Sequence, residues 1–77
     1  MENQEQVKKE IKQRLEKIKY RIKILDMIEE KLFKMRGLAQ RVLEEELTDK
    51  EIKEINKEVQ NLEEQVQLLN SQSNGVF

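Results

Sequence analysis

From Ile52 to Leu69 apolar residues recur at Ile52, Ile55, Val59, Leu62, Val66 and Leu69, in steps of three, four, three, four and three. This is the a/d repeat of a helix with one narrow apolar seam. Such a seam is stable only when laid on another helix. The question the sequence poses is therefore where the partner comes from.

One partner lies upstream in the same chain. Val7, Ile11, Leu15, Ile18, Ile22 and Leu25 form a stripe with helical spacing, and Ile28, Leu32, Met35, Ala39 and Val42 continue it after an extra three-residue step. A step of that kind moves a seam around its helix. From Tyr20 onward a second set, Tyr20, Ile24, Met27, Leu38 and Val42, falls roughly 120–160° from the first at 100° per residue. Residues 20–43 are thus apolar over more than half their circumference, wider than the stripe of about 100° that a surface helix needs. This segment is expected to touch at least two other helices. Glu29 and Arg36 lie on the narrow stripe and read as seam-edge residues for ion pairs with a partner. Glu10–Arg14 and Glu30–Lys34 have the i,i+4 spacing that adds a little support along one helix.

The break between the helices is signalled by Leu47-Thr48-Asp49-Lys50-Glu51. Thr48 at the N-cap and Glu51 three residues on make a capping box, and Leu47 with Ile52 makes a hydrophobic staple. Asp49 favours the positive end of the helix dipole. No Gly or Pro ends the first helix, so one unbroken helix through 46–50 is the structural alternative. The expectation is an all-α antiparallel hairpin in a single domain, 1–77: a long helix over about 6–46, frayed before it, and a shorter one over about 49–70. Residues 71–77, rich in Asn, Ser and Gly, read as a flexible polar tail. Gly37 stands inside the first helix as a tolerated surface glycine or a place of close backbone approach.

Folded back, a helix of about 22 residues covers only the later part of one of about 40. The long helix then keeps a bare arm. With 77 residues and 4% aromatics, the chain is also too small for a sizeable core of its own. Both points favour association through Ile11, Leu15, Ile18, Tyr20, Ile22, Ile24, Leu25, Met27, Ile28, Leu32, Met35, Arg36, Leu38 and Val42. The expected partner is a second copy or another helical protein.

Chemistry is sparse. Cysteine and histidine are both absent, which removes thiolate ligands and the ordinary neutral-pH proton carrier. Glu44-Glu45-Glu46 reads as a solvated run at a helix end, and Ser71 and Ser73 have no base to activate them. No glycine-rich phosphate loop occurs. The reading is of a non-enzyme without metal or cofactor. No apolar run reaches about 18 residues, and the polar start is no signal peptide. Net charge is −1, distributed as +4 over residues 1–25, −2 over 26–47 and −3 over 48–77. That gradient favours head-to-tail or antiparallel pairing. Nucleic-acid binding by the basic arm is a weaker reading, because no aromatics are interleaved with its lysines. The arm also lacks the Trp and Phe of a membrane-surface helix.

Residues 28–77 resemble the N-terminal helical hairpin of bacterial flagellins and hook–filament junction proteins. The likeness is carried by Leu32, Lys34-Met35-Arg36, Leu38-Ala39 and Gln40, by Leu47-Thr48-Asp49 at the cap, by Ile55-Asn56-Lys57-Glu58-Val59, Leu62 and Val66, and by Asn70 and Asn74-Gly75. It implies a structural role in close helix packing. The family's terminal polymerisation segments are absent, and Glu44-Glu45-Glu46 replaces its Asn-Gly-rich loop. The expectation is a flagellin-like packing unit of bacterial type that self-associates. The alternatives are a coiled-coil adaptor that captures an amphipathic helix and, third, a nucleic-acid binder. A cytoplasmic location is expected, or an extracellular one for a true filament component.

Overall fold

The computed structural model describes residues 3–75 and contains two helices, α1 (Gln4–Glu44) and α2 (Asp49–Gly75), packed as a hairpin. It is a rod of 70 × 18 × 10 Å, as long as one helix and as thin as two helices side by side. Met1, Glu2, Val76 and Phe77 lie outside the described residues, as does that part of the expected tail.

Each helix end has a local cause. The Asn3 side chain accepts from the Glu5 amide at 3.0 Å and caps α1, so the helix starts at Gln4, two residues before the expected start near residue 6. At the other end Glu45 turns extended, at φ −108° and ψ 146°, while its amide still donates to the Arg41 carbonyl at 3.0 Å. Its carboxylate accepts from Arg41 Nε at 3.1 Å. The helix therefore stops at Glu44 without a left-handed residue, and the chain is not one continuous helix. The α2 cap forms as its residues dictate. The Glu51 amide donates to Thr48 Oγ1 at 3.2 Å, and Glu51 Oε1 accepts from the Thr48 amide at 3.3 Å and hydroxyl at 3.0 Å. Two orphan amides are satisfied reciprocally. Of the two expected ion pairs, Glu30–Lys34 forms at 3.6 Å between exposed side chains. No ion pair joins Glu10 and Arg14 among the described residues.

Residues 71–75, expected as tail, are helical. Asn70, Ser71, Ser73 and Gly75 are poor helix formers, but Ser73 falls seven residues after Val66 and extends the seam. Its side chain is 2% exposed. Packing against α1 outweighs the weak propensity of these residues, as tertiary contacts commonly do. No buried side-chain oxygen or nitrogen lacks a hydrogen-bond partner among the described residues.

The core is one seam. On α2 it holds Ile55, Val59, Leu62, Val66, Leu69 and Ser73, all buried or half-buried. On α1 it holds Arg21, Ile24, Ile28, Lys31, Met35 and Leu38, again in steps of three and four. Ile24 is the most enclosed of these, 3% exposed. Lys31 sits in the seam because its long stem can cover apolar surface while the ammonium reaches water.

Candidate interaction face

The two long stripes of α1 do not succeed one another with a shift between them. They run side by side, one residue apart. The inner stripe, Arg21 to Leu38, meets α2. The outer stripe reads Ile11, Leu15, Ile18, Ile22, Leu25, Glu29, Leu32, Arg36, Ala39, Leu43, in unbroken steps of four and three. It spans about 48 Å of helix. The extra three-residue step expected at Leu25–Ile28 is a crossing from the outer stripe to the inner one. It arises because Glu29 and Arg36, set at the seam edge, and Lys31 are not counted among the apolar steps. They occupy heptad positions.

This sorts the expected contact residues. Ile24, Ile28, Met35 and Leu38 belong inside the hairpin, not on a surface for another molecule. That is a correction, and its cause is the register of α2, whose seam Ile55 to Leu69 lies on that inner stripe. Ile11, Leu15, Ile18, Ile22, Leu25, Leu32 and Arg36 remain exposed on the outer stripe. Tyr20 and Met27, also exposed, lie across the helix from it, one residue before seam positions 21 and 28. Leu43, 85% exposed, was not among the expected contacts. It was legible as the next step after Arg36 and Ala39. Phe33, 60% exposed beside Leu32, and Leu68, on α2, carried no periodic signal.

The hairpin has two unlike sides. In an antiparallel pair, residues that follow seam positions in both helices share one side, and residues that precede them share the other. Ala39 and Leu43 follow Leu38 and Val42, and Asn56 follows Ile55. Together with Val42, Ile52, Ile55 and Val59 they line an open, largely apolar groove of about 430 Å³ near the turn. Val42 and Ile52 lie in the walls of this groove and not in a closed seam. Arg41, Glu54 and Glu58 precede the same seam positions and cluster with Glu51 on the opposite, charged side. The first side is the one that carries the outer stripe.

Beyond α2 the outer stripe has no second helix beside it among the described residues. With 41 residues against 27, α1 is longer by 14 residues, or about 21 Å. This arm carries Ile11, 58% exposed, and Leu15, also exposed. A Cβ built on Gly37 meets nothing within 4 Å, so no backbone of this chain approaches there.

Among the described residues no group of three or more Asp or Glu side chains is arranged to hold a metal ion. Among the described residues no helix is long and apolar enough to cross a membrane. What the geometry offers is a face for packing. No family model, curated protein or solved structure matches the chain, so its function is read from its own surfaces.

Proposed function

We propose that this chain is a non-catalytic helical packing module that works by self-association through the outer stripe of α1. The observation that carries the reading is the exposed heptad repeat from Ile11 to Leu43. A row of exposed apolar side chains interrupted only by Glu29 and Arg36 is the kind of surface that marks an interaction site. Its a/d spacing specifies another helix as what covers it. The kind of packing is flagellin-like in the sense of the resemblance over residues 28–77: a capped hairpin whose long helix offers apolar residues on two sides. Capture of an amphipathic helix of another protein is the second reading. The groove beside Ala39 and Ile52 favours it, because its open side would accept one helix. The cytoplasm is the proposed setting, unless the chain is part of an extracellular filament.

Sedimentation equilibrium over a range of concentrations tests the proposal. Wild-type chain is expected to form a discrete oligomer or a growing polymer. Leu25→Asp should return it to monomer while circular dichroism still reports a helical hairpin, since Leu25 is outside the seam. Glu45→Ala removes one exposed ion pair, worth about 0–1 kcal/mol, and should leave the assembly unchanged. A wild-type chain that stays monomeric at high concentration removes the self-association reading.

A further inference from the structure

The self-association reading leaves open how a second copy sits, and the distribution of charge and length along α1 decides between the two directions. We infer that the occupant of the outer stripe is a second copy running antiparallel, with the basic arm of each copy lying in the apolar groove beside the acidic turn of the other. The inference rests on self-association itself.

Two observations lead there. The first is length. The outer stripe runs from Ile11 on the arm to Leu43 on the groove wall, so its two ends are one unpartnered helix segment and one open groove. Antiparallel pairing about a two-fold axis near Met27 sets Ile11 opposite Leu43 of the second copy and Leu15 opposite Ala39. Ile22 then faces Leu32, while Ile18 meets Arg36 and Leu25 meets Glu29, so each position of the stripe has a counterpart. The same patch serves both copies, as a two-fold interface requires. Parallel pairing would lay arm on arm and groove on groove, with no helix entering the groove.

The second observation is charge. Residues 4–19 of the arm hold six Lys and Arg and three Glu, net +3. Residues 41–58 around the turn hold four basic and seven acidic side chains, net −3; Arg41, Glu51, Glu54 and Glu58 of these lie on the side away from the groove, and Glu44, Glu45, Glu46 and Asp49 at the turn itself outnumber Lys50, Lys53 and Lys57. Antiparallel pairing brings the basic arm of one copy to the acidic turn of the other at both ends of the assembly. Parallel pairing sets +3 against +3 and −3 against −3. Complementary charge of this kind selects direction and suppresses the wrong pairing.

Because the chain has no cysteine, spin labels can be placed singly at Gln13→Cys and at Lys23→Cys, both exposed, and read by pulsed electron–electron distance measurement. Pairing centred near Met27 puts the two Gln13 positions roughly 42 Å apart and the two Lys23 positions roughly 12 Å apart along the axis, at 1.5 Å per residue. Helices lying side by side in parallel would give both pairs short separations, about one interaxial distance of 8–10 Å plus the tethers. A long Gln13 separation with a short Lys23 separation supports the inference. Short separations at both sites overturn it and leave self-association standing. Wild-type and labelled chains that are both monomeric by sedimentation overturn the inference together with the reading beneath it.

Discussion

Gly37 shows how one residue can be neutral to packing and still matter. It lies within α1, where a glycine is less favourable than alanine by about 1 kcal/mol because the unfolded chain has more freedom to lose. The structure leaves open space around a Cβ at that position. Gly37→Ala is therefore expected to stabilise the hairpin by about 0.5–1 kcal/mol in urea or thermal unfolding. If another molecule's backbone lies against Gly37, the same substitution should weaken association while stabilising the monomer. The capping box at Thr48 and Glu51 belongs to this scale too. Its three hydrogen bonds follow from residue identity and spacing, so it was fully legible in the sequence.

At the scale of the helix, the difficulty lay in α1. Two heptad stripes one residue apart look like a single stripe with a shift in phase when their charged members are discounted. Glu29 and Arg36 on the outer stripe and Arg21 and Lys31 on the inner one are those members. Lys31 is tolerated because its stem lies along the seam. Glu29 and Arg36 occupy core positions of the outer stripe, where a polar residue lowers stability and narrows the permitted registers. Glu29→Leu is expected to tighten self-association by about tenfold, the equivalent of about 1.4 kcal/mol of added apolar burial. It should also broaden the set of oligomers seen in sedimentation velocity. An unchanged dissociation constant would place Glu29 outside the interface. On α2 the end was missed for a related reason. Ser73 has the composition of a turn residue but stands at the next heptad position, where the structure buries it.

For the whole molecule, the governing fact is the unequal length of the helices. A hairpin of 41 and 27 residues hides one seam and leaves an arm, a groove and a second stripe uncovered. The arm and the turn carry opposite charge, so association should respond to salt in a defined direction. Raising ionic strength from 0.1 to 1 M shortens the screening length from roughly 10 to 3 Å. Antiparallel pairing is expected to weaken across that range, measured as a rise in the dissociation constant. Pairing of like arms would instead strengthen as their repulsion is screened.

The sequence by itself favoured two helices folded back at Thr48 over one unbroken helix. Heptad spacing and capping chemistry are local, and local residues suffice to specify them. It also fixed the α2 seam from Ile52 to Leu69, although Ile52 opens into the groove. Which of the two α1 stripes α2 would choose was a tertiary decision. Both stripes have the spacing of a helix seam, and the sequence does not rank them. The inner stripe is the one α2 packs on, and that choice encloses Ile24 and leaves Leu25, its neighbour in the chain, facing outward.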